Sequence, residues 1–292
     1  MESNIVKALI NISNYNERPN LSKYSAIKKA AQDSNSAKAM GSELESYSKD
    51  IFTDAYNIDD PEEKVNKYKQ SLSYLGGSKN PPDFIIKEGA AVEVKKVEST
   101  NEIQLNSSSP TKTLKYDSDK ITKSCKKCEK WTEKDMIYII ANQKKNTKIV
   151  ESIWIIDAKC YVASKDVYLN VFNYIKDAII KLDKIETVQS KEFARVVNID
   201  SLNSTKLRIR PMWTLAHPNT MFNHFIKKDD IKKFRVYSLI LKSTFDLYPE
   251  SDLNELETLI ENKKVTRFDT HVKDPDDKTK ELDVILLKLI ID

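Results

Sequence analysis

The sequence predicts an α/β fold in which a mixed central β-sheet is flanked by helices. Short apolar runs typical of buried strands alternate along the chain with amphipathic segments of helical periodicity. The 292 residues are 40% hydrophobic and 32% charged and include three cysteines. This composition indicates a globular protein with reduced thiols rather than a disordered or disulfide-stabilised chain. We expect a single domain spanning residues 1–292.

The sequence also predicts where the protein resides and which nucleotide-binding motifs it lacks. No apolar run reaches the roughly 18 to 20 residues of a membrane span. Residues 1–11 lack the basic-then-apolar order of a secretory signal. We therefore expect a cytoplasmic protein that makes no membrane contact. With four glycines in the whole chain, neither a Rossmann fingerprint nor a Walker loop is present.

Predicted helices are segments in which apolar residues recur every three or four positions. They cover residues 4–12, 42–56, 64–75, 119–131, 166–182 and 253–261. The glycine pair at 76–77 ends the third helix. The proline pair at 81–82 predicts a loop over residues 78–82, because proline lacks a backbone donor and restricts its predecessor. Residues 98–115, rich in Ser, Asn and Thr, are predicted to form an unusually long loop.

Predicted strands are short apolar runs bounded by polar or turn-forming residues. They cover residues 83–87, 90–97, 135–141, 149–162, 193–199, 207–209, 235–241 and 282–291. Glu88 and Gly89 join the first two strands. We expect this pair to form a β-hairpin, since a glycine between short apolar runs favours a tight turn.

Charged residues are segregated along the chain, although the formal net charge is only +4. Residues 41–63 contain eight acidic residues and one lysine, whereas residues 111–148 contain eleven lysines and five acidic residues. A second basic stretch, residues 206–235, contains eight basic and two acidic residues. Two basic regions could line one cleft and bind a polyanion. The alternative is that both are ordinary solvated surfaces.

Asp83, Glu93 and Lys95 form the most informative constellation in the sequence. Alternate side chains of a strand share a face, so Glu93 and Lys95 project together while Val92 and Val94 point into the opposite, buried layer. The predicted hairpin brings Asp83 back beside Glu93, although the sequence does not fix its register to within one residue. Two carboxylates and an ammonium group then meet at a sheet edge.

Such a group of side chains suits metal-dependent hydrolysis of a phosphodiester. Mg²⁺ binds through one or two carboxylates while it keeps waters and takes substrate phosphate oxygens. The metal polarises the phosphoryl group and generates hydroxide, and the lysine orients that nucleophile or stabilises the developing negative charge. The alternative is an ordinary edge hairpin whose charged residues face solvent.

Longer segments around these residues resemble a known family of nucleases. The segments that carry the resemblance are residues 73–77, 80–83, 92–98, 105–108, 131–136 and 207–213. The first three are similar to the catalytic region of the PD-(D/E)XK nuclease superfamily, and more narrowly of type II restriction endonucleases of the NgoPII-like group. The others resemble further segments of that group, so the resemblance covers about the first three quarters of the chain. It implies a catalytic core at about residues 40–185, with DNA-recognition and C-terminal elements at about residues 186–292.

The resemblance also implies roles for individual residues. It makes Asp83 and Glu93 metal ligands, together with Val94, and it makes Lys95 the catalytic lysine. Family members often carry a further acidic residue on an early helix near the metals, and Glu45 is the candidate for that position.

A sequence-specific nuclease must also read bases. Arg208 and Arg210 lie two apart in a predicted strand and hence on one face, and arginine can contact guanine through two hydrogen bonds. The alternative is that they contact phosphates or form surface salt bridges. Asn106, Ser107 and Ser108, in the predicted polar loop, could also reach a groove of DNA; otherwise they belong to a solvated linker.

The resemblance implies a type II restriction endonuclease that uses Mg²⁺ to cut both strands of a short, GC-rich palindrome such as GGCC. A palindromic target favours a two-fold symmetric homodimer. A prokaryotic restriction system further implies a DNA methyltransferase that protects the host site. Two alternatives remain: a repair or recombination nuclease of the same superfamily, and a DNA-binding module in which the Asp-Glu-Lys cluster is only structural.

Overall fold

The computed structural model describes residues 3–30, 39–77 and 80–292 of the protein. Ser78 and Lys79, in the predicted loop over residues 78–82, lie outside the described residues, as do the first two residues of the chain. Within the described part the fold is α/β, with helices packed on a large mixed sheet, as the sequence predicts. None of the helices there combines the length and the apolar composition that a membrane span requires.

The central sheet contains both parallel and antiparallel strand pairs. Its nine strands are β1 (Leu72–Tyr74), β2 (Phe84–Ile86), β3 (Ala91–Val97), β5 (Thr113–Lys115), β6 (Glu133–Gln143), β7 (Val150–Asp157), β12 (Phe234–Leu241), β13 (Val265–Lys273) and β14 (Glu281–Ile291). They lie in the order β1-β2-β3-β6-β7-β12-β14-β13, and β5 pairs with the start of β6. The β3–β6 and β7–β12 pairs are parallel, and the other pairs are antiparallel.

Two smaller antiparallel sheets lie outside the central sheet. One contains β8 (Glu186–Val188), β9 (Ala194–Val197) and β10 (Leu207–Ile209). The other pairs β4 (Ile103–Asn106) with β11 (Trp213–Leu215).

Helices complete the fold. They are α1 (Ile5–Tyr15), α2 (Ser22–Ala30), α3 (Glu43–Thr53), α4 (Pro61–Ser71), α5 (Lys123–Lys127), α6 (Lys165–Ile180), α7 (Pro218–Met221), α8 (Lys242–Phe245) and α9 (Glu250–Glu261). One face of the central sheet forms a core with α1, α3 and α9, through residues such as Leu9, Phe52 and Leu256. The opposite face packs against the β4–β11 sheet and α5, through Ile103 and Cys125.

The predicted helix over residues 64–75 is present but displaced. It begins at Pro61 and ends at Ser71. Leu72 is already extended, with φ −114° and ψ 130°, and pairs with Ile86. The end of this helix was therefore predicted wrongly, because pairing with a distant strand overrides the local helical periodicity.

Three other predictions were wrong in part. The helix predicted over residues 119–131 is reduced to α5, which starts late because the Thr122 hydroxyl caps its first turn. The loop predicted over residues 98–115 contains β4 and β5, since polar strands of three or four residues leave no periodic signal. The strand predicted over residues 149–162 ends at Asp157. The carboxylate of Asp157 accepts a hydrogen bond from the Lys159 N–H, and this contact starts a 3₁₀ turn.

A buried ion pair joins α3 to α4. Lys64 Nζ lies 2.7 Å from Asp50 Oδ2, and both side chains are fully buried. Tyr24 and Tyr68 donate hydrogen bonds of 2.5 and 2.7 Å to the same carboxylate, and the Ala55 carbonyl accepts one from Lys64. Burial raises the pKa of Asp50 and lowers the pKa of Lys64, so each charge depends on the other and on its hydrogen bonds.

We expect Lys64→Met to destabilise the protein by about 3–5 kcal/mol, because Asp50 would then be buried without a partner of opposite charge. The measurement is the free energy of unfolding in urea. Lys69→Met, which removes an exposed lysine from the same helix, serves as the control and should change stability by less than about 0.5 kcal/mol. Equal unfolding midpoints for the two variants would contradict the role given to the buried pair.

Candidate active site

The β2–β3 hairpin brings Asp83 beside Glu93. Phe84 pairs with Val92 across the two strands, and the Asp83 N–H donates a 3.0 Å hydrogen bond to the Val92 carbonyl. The residue of the turn with a left-handed backbone is Glu88, at φ 53°, rather than the glycine that the sequence singled out. The predicted hairpin is therefore confirmed, and its register places Asp83 opposite Glu93.

Side-chain contacts extend this pairing along β3. The Val94 N–H donates a 2.6 Å hydrogen bond to Asp83 Oδ2, and Lys95 Nζ lies 2.7 Å from Glu93 Oε1. Val92 is fully buried in the helix-facing core. Val94 packs against the same core, whereas Glu93 and Lys95 line a cavity with Tyr138 of the opposite core, so the predicted alternation of faces along β3 is confirmed.

The charges of the site influence one another strongly. Burial, followed by the charges of Glu93 and Glu45, raises the pKa of Asp83 to about 7. Burial opposes the charged form of Lys95, but the carboxylates of Glu93, Asp83 and Glu45 outweigh it and raise the pKa of this lysine. The site therefore holds more negative charge than its own lysine neutralises.

Oxygen atoms at the site fit a hard divalent cation. Glu93 Oε2 is buried and has no hydrogen-bond partner, and Asp83 lies beside it with its raised pKa. In the described part of the chain, no three His, Cys, Asp or Glu side chains converge as a ready-made metal cage. Two carboxylates with water and substrate oxygens are the ligand set that Mg²⁺ commonly takes. The Val94 backbone, which the family resemblance implies as a third ligand, lies next to Asp83 because its N–H donates to the Asp83 carboxylate.

Glu45 reaches the site from the first turn of α3. Its backbone N–H donates to the Ser42 side chain, which caps this helix. Its carboxylate folds over Gly41, where any Cβ atom would overlap Glu45 Oε2. The negative charge of Glu45 acts on both Asp83 and Lys95. The structure thus brings all four predicted catalytic residues into one electrostatic cluster.

Two supporting residues escaped the sequence analysis. Lys49, fully buried one turn after Glu45, donates hydrogen bonds to the carbonyls of Ala39 (2.8 Å) and Leu75 (2.9 Å). Burial lowers its pKa to about 8. Gly76 has φ 78° and lies so close to the Asp83 carbonyl that a Cβ would overlap it. The glycine pair in the sequence is a visible signal, but its contact with Asp83 is not.

Arg208 lies in β10 and Arg210 directly follows this strand, and both are ion-paired. Arg208 Nε lies 3.0 Å from Glu192, and Arg210 Nε lies 3.2 Å from the same carboxylate. Their side chains are 52% and 47% exposed. Arg195, which the sequence analysis did not select, lies directly across from Arg208 on β9 and also acts on Glu192. Three arginines therefore surround one glutamate on an exposed surface.

The polar loop lies between these arginines and the carboxylates. Ser107 Oγ accepts a 3.4 Å hydrogen bond from Arg210, and Ser108 lines a cavity of about 80 Å³ together with Glu93 and Lys95. The loop thus links the predicted catalytic residues to the predicted DNA-binding arginines.

Asn106 occupies the end of β4, where it has a left-handed backbone at φ 55°. It pairs with Trp213 of β11. A larger cavity of about 930 Å³ surrounds the turn of the β2–β3 hairpin, and neither Asp83, Glu93 nor Glu45 lines it. The candidate site is therefore located by its chemistry and not by cavity size.

Comparison with known proteins agrees with this chemistry. The NgoPII restriction endonuclease family matches residues 3–273. The chain is 34% identical over 280 residues to the type II restriction enzyme NgoPII of Neisseria gonorrhoeae, which covers 95% of this chain and 96% of that enzyme. No solved structure matches the chain. Because both matches extend over nearly the whole sequence, the protein belongs to the NgoPII restriction endonuclease family.

Proposed function

We propose that the protein cuts both strands of a short, GC-rich palindromic DNA site by Mg²⁺-dependent hydrolysis, leaving 5′-phosphate and 3′-hydroxyl ends. The convergence of Asp83, Glu93 and Lys95 on one hairpin supports the proposal most directly. Membership of a restriction endonuclease family supports site-specific cleavage. GGCC is the first sequence to test.

Asp83, Glu93 and the Val94 carbonyl would hold the cation, and Glu45 would add negative charge nearby. A bound Mg²⁺ supplies Lewis-acid stabilisation of the phosphate and a water more acidic than bulk water. Lys95 stabilises negative charge as it develops on the scissile phosphate. Its raised pKa keeps it protonated at neutral pH, which suits an electrostatic role better than that of a general base. A water molecule attacks phosphorus in line and loses a proton; as its oxygen bonds to phosphorus, the bond to the 3′ oxygen breaks and that oxygen takes up a proton.

DNA recognition would involve the exposed arginines and the polar loop. Arg208 and Arg210 would exchange their contacts with Glu192 for guanine or phosphate oxygens. Asn106, Ser107 and Ser108 would follow the same groove, since this loop contacts Arg210 on one side and the site cavity on the other.

The biological setting follows from restriction chemistry. We propose a cytoplasmic, prokaryotic enzyme that acts as a homodimer on its palindrome, with each subunit cutting one strand. A companion methyltransferase would protect the host DNA. The chain would form a single domain, with its catalytic core at about residues 40–185 and recognition and C-terminal elements after it.

The proposal is tested by digesting a sequenced, unmethylated plasmid with Mg²⁺ or with EDTA and sequencing the ends. Discrete Mg²⁺-dependent fragments that share one short palindrome would support it. Cleavage of junctions or flaps without sequence preference would indicate a repair nuclease, and metal-independent binding without cleavage would indicate a DNA-binding module. Either of these results would overturn the proposal.

Lys95→Ala should reduce the cleavage rate by more than about 100-fold, because the variant loses the cation that stabilises the transition state. Binding of DNA should change by less than about 3-fold. Lys96→Ala is the matched control, since it removes the adjacent lysine from the opposite face of β3 and should retain cleavage within about 3-fold. Single-turnover cleavage and binding in Ca²⁺ are the measurements, and equal rates for both variants would refute the assignment.

Asp83→Asn should stabilise the metal-free protein at pH 8 by about 1–3 kcal/mol. The raised pKa of Asp83 means that the folded protein binds this proton more tightly than the unfolded chain does. The free energy of unfolding of the wild type therefore falls as the pH rises from about 4 through about 7. The asparagine of the variant does not titrate, so the variant does not show this decrease. Thermal unfolding with and without Mg²⁺ is the measurement. Mg²⁺ should raise the melting temperature of the wild type but not of the variant; stabilisation of both would contradict the metal site.

Arg210→Ala should lower cleavage of the cognate site by about 10- to 100-fold while affinity for unrelated DNA changes by less than about 3-fold. We expect the same effect on cleavage and affinity from Arg208→Ala. Arg267→Ala, which removes an arginine paired with Asp269 and Glu257 on another part of the protein, is the control. A uniform loss of affinity on all sequences would reassign the two arginines to phosphate contacts.

A further inference from the structure

Helix α6 carries an apolar stripe that nothing in the described part of the chain covers. None of the 16 residues of this helix is buried. Val167, Val171 and Tyr174 are 40%, 48% and 77% exposed, and Leu182, just after the helix, is 52% exposed. With Ala178 they recur at intervals of three or four residues, so they lie along one side of the helix.

The neighbouring side of α6 is anchored to the protein. Tyr168 packs edge-to-face on Trp213, with ring centroids 5.5 Å apart, and Phe172 stacks on Phe193 at 4.7 Å. Lys176 Nζ donates a 2.8 Å hydrogen bond to a backbone carbonyl. The helix is therefore held in a definite orientation, and the stripe is a surface displayed by the fold.

Exposed apolar side chains are concentrated in this part of the sequence. Of the 18 large apolar side chains that are exposed within the described residues, 13 lie between residues 167 and 212. Monomeric proteins seldom expose a contiguous apolar patch of more than about 300–600 Å², whereas a standard interface takes about 800 Å² from each partner. An apolar surface of this kind favours a protein partner over the phosphates of DNA.

We propose that the stripe packs against the same stripe of a second copy of the chain, as an antiparallel helix pair. A two-fold axis passing between Asn173 and Tyr174 sets Asp166 of one copy opposite Lys181 of the other, and it does so twice. Both side chains are exposed, and neither forms an ion pair within the described part of the chain.

The same axis accounts for a second pair of polar residues. It sets Asn170 opposite Asp177 of the other copy, on the same flank of the stripe. A parallel arrangement would instead place this charged flank against the opposite flank of the stripe, where Ile175 and Ile179 lie, so the charge pattern favours an antiparallel copy.

The assignment rests on the proposed function in one respect: it names the face that would form the proposed homodimer. Tyr168 links this face to Trp213, which pairs with Asn106 of the polar loop. Dimerisation through α6 would thereby fix the distance between the two DNA-reading surfaces. Its test requires neither DNA nor metal, so the two proposals can fail separately.

The first experiment is sedimentation equilibrium of the metal-free protein at micromolar concentration. The wild type should sediment with twice the mass of the chain, and Tyr174→Glu should raise the dimer dissociation constant by more than about 100-fold, because it buries a carboxylate at the two-fold axis. Leu247→Glu is the control, as this leucine is 80% exposed on another surface, and it should remain dimeric. A monomeric wild type, or equal dissociation constants for the two variants, would overturn the assignment.

A charge exchange tests the antiparallel geometry without altering the apolar stripe. Asp166→Lys and Lys181→Asp should each weaken the dimer by about 5- to 10-fold at low salt, because symmetry repeats every like-charge contact. The double variant should regain wild-type affinity. Within one chain the two positions are about 22 Å apart along the helix, so restoration requires a contact between copies. Additive loss in the double variant would refute the antiparallel pairing. A dimer that behaves as expected but leaves DNA uncut would refute the proposed function and not this assignment.

Discussion

The candidate site depends on one hydrogen bond, in which the Val94 N–H donates to the Asp83 carboxylate across the β2–β3 hairpin. This bond holds a residue that precedes β2 against the middle of β3, and it leaves Asp83 beside Glu93. Burial of Asp83, followed by repulsion from Glu93, raises the pKa of Asp83 to about 7. The fold maintains this unfavourable arrangement, and a divalent cation with its two positive charges would relieve it.

Buried charges in the helical layer keep that arrangement rigid. Lys49 ties the chain around Leu75 to α3 through backbone carbonyls, and Gly76 allows that segment to approach Asp83 closely. The next residue of this helix, Asp50, pairs with Lys64 and so joins α3 to α4. Because an unpaired charge in this layer would be costly, these contacts favour a single position for the helix that carries Glu45. Helix α3 thus contributes both to the geometry of the candidate site and to the buried ion pair.

The proposed recognition residues and the candidate catalytic residues are connected through short polar elements and not through the large sheet. The loop after β4 contacts Arg210 with one serine and the cavity beside Lys95 with the next. Its strand pairs with Trp213, which in turn packs on α6. A contact made by DNA or by another copy of the chain at this layer would therefore act on residues adjacent to the carboxylates.

The sequence by itself determined the α/β class, the hairpin and the shared face of Glu93 and Lys95, because strand alternation and turns are properties of neighbouring residues. It could not reveal that Arg208 and Arg210 both pair with Glu192, or that Lys49 donates hydrogen bonds beside the site. These contacts join residues far apart in the chain or depend on burial. The polar strands β4 and β5 likewise form only because they pair with β11 and β6. Tertiary structure also decided which apolar residues of α6 remain uncovered, because periodicity identifies an apolar face but not the surface that it meets.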